Sequence, residues 1–245
     1  MKTNYTIEIA TTDYNTVKAA VEGGADRIEL CTALSEGGLT PSFGLIQQCR
    51  KDFDVPLFPI IRCRPGDFLY TDAEFEVMKK DALLCKQAGC DGIVIGFLTK
   101  EGDINKKWTA ALVNLVYPLE VTFHRAFDRC NKPIQALEDI IDAGCQRILT
   151  SGQQPTAPQG IELLQQLVKQ ADERIIIMPG SGVRESNIKD LAAVTGAVEF
   201  HSSLKGQSQS LMTYRHPAFA NSDESYAAPA IDATAVIALR AALQE

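Results

Sequence analysis

Short apolar and β-branched runs alternate with amphipathic helices along the chain, and this alternation constrains the fold more than any other sequence feature. The runs predict strands at residues 4–9, 26–30, 57–62, 92–96, 119–123, 146–150, 174–178 and 197–200. Several runs, such as Ile175–Ile177, are apolar throughout, as is typical of parallel strands covered on both faces. The alternation therefore predicts a parallel sheet whose strands are connected by helices.

A weak internal repeat favours a closed barrel over an open sheet. The segments that begin at Gly24, Gly89, Gly144 and Gly196 are alike, and each precedes an even-numbered predicted strand. A glycine suits this place because a helix end commonly needs a positive φ. We therefore predict an α/β protein with the (β/α)₈ TIM-barrel fold, as one domain over residues 1–245. A doubly wound open sheet is the alternative.

One long segment interrupts the alternation. Residues 204–230 lie between the last predicted strand and the last helix and are only weakly apolar. Connections of this length are usually functional or disordered. The segment either closes over the mouth of the barrel or forms a mobile tail. The side chains that would close it are Met212, Tyr214, Arg215 and His216.

Charge and cysteine content exclude several kinds of partner and compartment. The formal net charge of −7 argues against nucleic acid or an anionic membrane surface, because both require a basic face. Glu8 precedes any apolar run, so we expect no signal peptide, and no segment has the ~18 apolar residues of a membrane helix. The seven cysteines contain no CxxC pair, which indicates free thiols in a reducing cytoplasm.

Polar side chains follow the predicted strands, where barrels of this fold carry out their chemistry. The candidates for proton transfer are Glu8, Glu29, His124 and Asp128. Asp128 follows His124 by four residues and is placed to orient its imidazole or raise its pKa. Glu8 and Glu29 lie on neighbouring strands and form a candidate carboxylate pair. Alternatively, these two carboxylates form ion pairs with Arg27 and Arg62 that close the barrel.

An anion site is predicted at the turns after strands six and seven. Thr150–Gly152 and Gly180–Gly182 consist largely of small residues, which let backbone N–H groups approach an anion closely. The predicted anion or substrate ligands are Arg62, Arg64, Thr150, Ser151, Gly152, Gly180, Gly182, His201 and Ser202.

Two cysteines form a candidate metal site. Cys31 and Cys63 follow neighbouring predicted strands, and thiolates are preferred ligands of Cu(I). The alternative for each is an inert, buried apolar residue. The chain has no HExxH sequence, Walker A loop or nucleophile elbow. No lysine follows an inner strand, which argues against an imine-forming aldolase.

The sequence resembles the CutC family through motifs spread over most of its length. They are Gly24–Cys31, Glu36–Ser42, Gly66–Asp72, Thr122–Asp128, Arg147–Gln153 and Glu199–Ser203. The resemblance implies a (β/α)₈ barrel, a cytoplasmic homo-oligomer (dimer or tetramer) and Cu(I) binding through Cys31. Where some relatives have a second cysteine, this chain has Ala10, whereas Cys63 is an addition.

These observations lead to two main hypotheses. The first is a protein of copper homeostasis that binds a copper ion through Cys31. The second is an enzyme with isomerase- or lyase-like acid–base chemistry on a small anionic or phosphorylated substrate. In that enzyme, Arg62 and the turn at 180–182 would hold the anion. A scaffold protein is a third and weaker hypothesis, because it leaves the polar residues after the strands unexplained, and the fold alone does not decide.

Overall fold

The computed structural model describes residues 5–219 and 226–244, and in these residues strands and helices alternate as predicted. The inner strands are β1 Thr6–Thr11, β2 Arg27–Leu30, β3 Leu57–Pro59, β4 Gly92–Ile95, β5 Glu120–Phe123, β6 Arg147–Thr150, β7 Ile176–Pro179 and β8 Glu199–Ser202. The helices are α1 Tyr14–Glu22, α2 Phe43–Asp52, α3 Asp72–Gln87, α4 Lys106–Val116, α5 Pro133–Asp142, α6 Ile161–Ala171, α7 Glu185–Thr195 and α8 Ala233–Ala241.

The parallel strands close into a barrel. β1 pairs with β2 and β8, β2 pairs with β3, and β4 to β7 pair in chain order. A parallel bridge between Ile60 and Val94 joins β3 to β4, and β7 lies beside β8. The predicted (β/α)₈ fold is therefore confirmed. β1 and β8 end two residues later than predicted, which places His201 inside β8.

Successive strand side chains alternate between the helices outside and the barrel interior, as the period of two requires. The outward side chains, such as Ile7, Ile28 and Ile148, are fully buried in the main core between sheet and helices. Each such side chain contributes roughly 1.5–3 kcal/mol of burial free energy. The interior instead holds a small apolar cluster of Cys31, Phe58, Ile60 and Val94. Most of the remaining inward positions are polar, which is the first sign of a site.

The long segment after β8 contains an antiparallel pair of short strands. These are β9 Gly206–Ser208 and β10 Ala228–Ala230. Met212 and Tyr214 are exposed, and the guanidinium of Arg215 lies 3.7 Å from the ring centroid of Tyr226. Of the side chains predicted to close over the mouth, none lines the cavity that the described residues form there. Residues 220–225 of this segment lie outside the described residues.

Within residues 5–219 and 226–244, no helix combines the length and apolar character that a bilayer crossing requires.

Candidate functional site

A cavity of about 520 Å³ opens at the carboxyl ends of the strands, and this volume suits a small-molecule ligand. Its polar and aromatic lining consists of Glu29, Glu36, Arg62, Phe68, His124, Arg125, Arg129, Ser181, Arg184, His201, Ser203 and Lys205. The sequence predicted that side chains from separate strands converge here. The structure brings together Glu29, Arg62 and His124 with His201 at this rim.

A network of ion pairs lies below the cavity, inside the barrel. Glu8 is fully buried, and the strand register places it beside Arg27 on β2 and His201 on β8. Arg27 donates from Nε to Glu8 at 2.5 Å and from Nη2 to Glu199 at 2.5 Å. Glu199 also accepts from Arg147 Nε at 2.9 Å. The ion-pair interpretation of Glu8 and Arg27 therefore agrees with the structure.

The charge of Glu8 is fixed by this network. Burial alone would raise the pKa of the Glu8 carboxyl, but Arg27 and His201 outweigh it and lower the pKa to about 2. Because Glu8 is ionised, it accepts a hydrogen bond from His201 Nδ1 at 2.7 Å. Both Glu8 oxygens are thus occupied, and Glu8 serves to orient His201 rather than to exchange protons itself.

Glu29 and His201 form a buried pair at the floor of the cavity. His201 Nε2 lies 3.8 Å from Glu29 Oε2. Burial raises the pKa of Glu29. The charge of His201 lowers this pKa in part, the charge of Glu8 raises it further, and the result is a pKa of about 7. Burial disfavours the charged form of His201, but Glu29 and Glu8 raise the pKa of its imidazole. A carboxyl group that titrates near neutral pH both accepts and returns a proton readily.

Glu8, Glu29 and His201 are also the one group of potential metal ligands found among the described residues. One donor atom each from Glu8, Glu29 and His201 lies within 4.8 Å of the others. However, Glu8 is bonded to Arg27 and His201, and this leaves only Glu29 and His201 Nε2. Two ligands do not make a closed metal site, so the cluster suits proton transfer better than metal binding.

His124 lies at the end of β5 and is buried against the cavity. The Ala126 backbone N–H donates to His124 Nδ1 at 3.0 Å, so the ring proton must be on Nε2. Burial, followed by the positive charge of Arg62, lowers the pKa of His124 to about 3. The imidazole is therefore neutral at physiological pH. The predicted pairing of His124 with Asp128 is wrong, because Asp128 bonds elsewhere.

The carboxylate of Asp128 occupies the turn after β6. It accepts hydrogen bonds from Thr150 Oγ1 at 2.5 Å, from Ser151 Oγ at 2.9 Å and from Arg125 Nε at 2.6 Å. The Ser151 backbone N–H also donates to it at 3.0 Å. The anion predicted at Thr150, Ser151 and Gly152 is thus the protein's own carboxylate, and these three residues do not line the cavity.

Arg62 is a buried cation with no carboxylate partner among the described residues. It is 3% exposed. Its Nη1 donates to the carbonyls of Glu36 at 2.7 Å and Gly38 at 3.0 Å, and its Nη2 donates to Gly66 at 2.8 Å. Its Nε has no partner within the described part of the chain. A buried charge without a counter-charge is costly, so this arginine is suited to bind an anion.

Three other predicted ligands lie outside the cavity lining. Arg64 is turned toward the start of α3, where it donates to Glu74 at 2.5 Å and to Asp67 at 3.0 Å. Ser202 Oγ donates to the Val183 carbonyl at 2.9 Å and so ties β8 to the chain before α7. Gly180 packs closely, since a Cβ there would lie 2.4 Å from Leu149 Cδ1. Gly182, by contrast, lines the cavity as predicted.

The two cysteines of the predicted metal site face different sides of the barrel wall. Cys31 packs in the interior cluster, and its Sγ lies 3.3 Å from the Thr11 carbonyl. Cys63 packs against the outer core. It lies four residues beyond Pro59, the last residue of β3, so strand alternation does not turn it inward. Burial raises the pKa of both thiols. The predicted two-thiolate pair is therefore not formed in this chain.

Sequence reasoning missed several cations of the cavity. Arg129, Arg184 and Lys205 line it together with Arg62 and Arg125, against the carboxylates of Glu29 and Glu36. A signal existed for Arg184, because it lies two residues after Gly182, between the glycine-containing turn after β7 and helix α7. No local motif marks Arg129, which lies in a short 3₁₀ turn (Phe127–Arg129).

Fold and site together define a (β/α)₈ barrel with a cation-lined mouth above a buried carboxylate–histidine pair. The model of the CutC family matches residues 5–206. A family protein CutC from Chromobacterium violaceum is 48% identical over 230 residues, covering 93% of each chain. The chain belongs to the CutC family.

Two further proteins extend the comparison. The human copper homeostasis protein cutC homolog is 44% identical over 216 residues, which cover 88% of this chain and 79% of the human one. A crystal structure described as the copper homeostasis protein CutC of Streptococcus agalactiae has a TM-score of 0.78 at 28% identity. It covers 81% of this chain and 98% of its own.

Proposed function

We propose that this CutC family member is an enzyme that binds a small anionic substrate in the mouth cavity and performs isomerase- or lyase-like proton transfer on it. The observation that carries this proposal is the charge of the cavity. Five cationic side chains line it against two carboxylates, although the whole chain has a net charge of −7. A local charge opposite to that of the chain is typical of a site built for a ligand.

The cations differ in how much of their charge is compensated. Arg125 is paired with Asp128, so it contributes little. The side chains of Arg129 and Lys205 form no hydrogen bond or ion pair with the other described residues, and Arg62, which donates to three carbonyls, has no carboxylate partner among them. The uncompensated charges of these three side chains favour a ligand with at least one full negative charge.

The turn after β7 adds backbone donors to this charge. Ser181 and Gly182 line the cavity and both have positive φ angles, of 73° each. Their N–H groups bond to no backbone or side-chain acceptor within the described residues, and helix α7 begins at Glu185, three residues after Gly182. Backbone N–H groups before a helix favour phosphate or carboxylate ligands.

Glu29 and His201 supply the proton chemistry of the proposal. Glu29 has a pKa of about 7, so it is present in both protonation states near neutral pH. His201 is held by Glu8 through Nδ1 and turns Nε2 toward Glu29. We assign proton transfer to and from the substrate to Glu29, with His201 positioning and supporting it.

Titration with inorganic phosphate, followed by isothermal calorimetry, tests the anion site. We expect wild-type protein to bind phosphate. The double variant Arg129→Met and Lys205→Met should weaken the affinity by ~10-fold or more, since two charge-assisted contacts are lost. Lys51→Met, an exposed cation on α2, is the matched control and should bind as wild type does. Wild-type protein that binds no phosphate, or a double variant with unchanged affinity, overturns the proposal.

The names of the relatives favour a second candidate, a cytoplasmic role in copper homeostasis with Cu(I) bound through Cys31. All seven cysteines are free, which is typical of a reducing compartment. The burial of Cys31 opposes this candidate, since the thiolate is the form that binds metal. Cu(I) competition against a chelator tests it. Cys31→Ser should abolish stoichiometric binding and Cys49→Ser, another buried thiol, should preserve it. Binding that survives Cys31→Ser rejects the site.

A further inference from the structure

We propose that Arg62 and His124 form a pair of hydrogen-bond donors for a substrate carbonyl oxygen that gains negative charge during proton transfer. The inference rests on the proposed function and names its substrate class. The substrate is an anionic compound whose reacting carbon lies next to a carbonyl group. His124 then acts as a neutral donor and not as the acid or base that its sequence position suggested.

The first observation is that two buried donors at the cavity have no acceptor. In the described residues, the buried side-chain atoms without a hydrogen-bond partner are Arg62 Nε, His124 Nε2, Tyr70 Oη and Thr122 Oγ1. Arg62 and His124 both line the cavity. Both atoms carry a hydrogen, so what they lack is an acceptor. Folded proteins rarely leave buried donors unpaired, and an oxygen of the ligand would satisfy them.

The two donors belong to one cluster around the ring of Phe68. The Arg62 guanidinium carbon lies 5.1 Å from the Phe68 ring centroid. The His124 ring centroid lies 5.0 Å from the same point. Both groups therefore lie against the Phe68 ring, and the carbonyls of Glu36, Gly38 and Gly66 fix the far end of Arg62. Donors held in this way need little reorganisation when charge develops, which is what makes them effective.

Backbone geometry fixes the protonation state of His124. A backbone N–H only donates, so the contact from Ala126 to Nδ1 at 3.0 Å leaves the ring hydrogen on Nε2. The ring also fills a space that only a glycine on β4 allows, because a Cβ at Gly96 would lie 2.3 Å from His124 Cε1. The chain thus holds a neutral imidazole, with its ring hydrogen on Nε2, at a residue that lines the cavity.

The proton transfer needs no protein group other than Glu29, Arg62 and His124. The Glu29 carboxylate takes a proton from the carbon next to the carbonyl. The electrons of that C–H bond form a carbon–carbon double bond, and the carbonyl π electrons move to the oxygen. The resulting oxyanion accepts from Arg62 Nε–H and His124 Nε2–H. For a substrate that carries a hydroxyl group on the reacting carbon, the hydroxyl proton moves to the oxyanion, and Glu29, now protonated, returns its proton to the former carbonyl carbon. The hydroxyl-bearing carbon becomes the new carbonyl carbon, which completes an isomerisation.

Oxalate is a suitable probe because it is a planar dianion that resembles such an enolate. Its affinity is measured by calorimetry for wild type, His124→Leu and His124→Gln, the last of which keeps a neutral N–H donor. We expect Leu to weaken oxalate binding by ~10- to 100-fold, as for loss of a hydrogen bond to a charged group. Gln should restore most of the affinity. The ratio of wild-type to Leu affinity should stay constant from pH 5.5 to 8, since His124 does not titrate there.

Nitrogen-15 NMR of labelled histidine gives a second readout, taken on the wild-type protein, for which a variant serves only to assign the signals. The chain has three histidines, and the His124 signals are those absent from His124→Gln. They should show a neutral ring protonated on Nε2 across this pH range, and oxalate should shift the Nε2–H signal. Oxalate affinity unaffected by His124→Leu, or a His124 ring that titrates, overturns the inference while phosphate binding still supports the anion site. Wild-type protein that binds neither anion overturns the proposed function itself.

Discussion

The inward-facing charges at the beginnings of the strands and those at their ends are organised in opposite ways. Arg27, Arg147 and Glu199 each stand at the first residue of a strand, and every one of them is paired with an opposite charge. At the strand ends, Arg62 has no carboxylate partner among the described residues and His124 Nε2 has no partner there at all. The charges at the strand beginnings compensate one another, whereas Arg62 and His124 at the strand ends are left for a ligand to satisfy.

Packing reinforces this contrast. Below, the Phe58 ring lies under both guanidinium groups, 5.2 Å from that of Arg27 and 5.4 Å from that of Arg147. Gly92 leaves room for this ring, since a Cβ there would lie 2.2 Å from it. The layer around Arg27, Arg147 and Phe58 is therefore closely packed, like a hydrophobic core. Above it lies an open cavity. A charge inside this barrel therefore points to function only where the chain itself provides no opposite charge or hydrogen-bond partner for it.

Two glutamates on adjacent strands show the same contrast at the level of single groups. Glu8 and Glu29 are both buried. The pKa of Glu8 is lowered to about 2 because Arg27 and His201 outweigh burial. The pKa of Glu29 is raised to about 7 because burial dominates. One carboxylate stabilises the fold through its charge, and the other is costly to ionise and therefore reactive.

Removal of Arg27 from the lower ion-pair network should change stability most. Arg27→Met leaves Glu8 and Glu199 buried with fewer partners. The free energy of unfolding should fall by ~3–5 kcal/mol, as for a broken buried ion pair, when measured by urea denaturation. Arg129→Met at the mouth is the matched control and should change it by less than ~0.5 kcal/mol. Equal losses in both variants would show that the two layers do not differ.

A somewhat smaller effect is expected from acid. The pKa of Glu8 is about 2 in the folded protein against an ordinary 4.5, so its stabilisation is complete above pH 4.5. It is lost as the pH falls toward 2, by ~3 kcal/mol in total. Glu8→Gln lacks this charge, so urea unfolding should show the gap between wild type and variant narrowing across that window. A gap that stays constant with pH would contradict the assignment.

The sequence predicted the fold because the fold depends on patterns that repeat. The alternation of apolar strands and amphipathic helices fixed the barrel, and the inward or outward side of a residue follows from its parity. The cysteine pair was not formed because Cys63 lies beyond the end of β3 at Pro59 and packs against the outer core, whereas Cys31 packs in the interior cluster.

The partners of the site residues could not be predicted in this way. Asp128 follows His124 by four residues, a spacing that suggests contact in a helix, but a short 3₁₀ turn instead directs it to Thr150 and Ser151 on β6 and beyond. Glu8 and Glu29 look equivalent in the sequence. Strand register distinguishes them, since it places Glu8 beside Arg27 and Ala10 beside Glu29, and no local pattern encodes register between distant strands.

Replacement of Glu29 should change stability least, and it should raise the free energy of unfolding instead of lowering it. The pKa of Glu29 is about 7 in the folded protein against an ordinary 4.5, so the folded state binds its proton more tightly than the unfolded state. Stability therefore falls as the pH rises from 4.5 to 7, and the loss is complete above 7. Glu29→Gln removes this cost and should raise the free energy of unfolding at pH 8 by ~1 kcal/mol. The full shift would give more, but the variant also deprives His201 of a partner.

Urea denaturation at pH 8 and at pH 4.5 tests this, and the gain should vanish at the lower pH. Glu8→Gln is the matched control, because the same substitution one strand away should destabilise the protein at pH 8. Opposite signs are expected because Glu8 is held by a full set of partners, whereas Glu29 is kept reactive at the expense of stability. A Glu29→Gln variant that loses stability at pH 8 would place Glu29 with the structural charges and remove the proposed proton-transfer group.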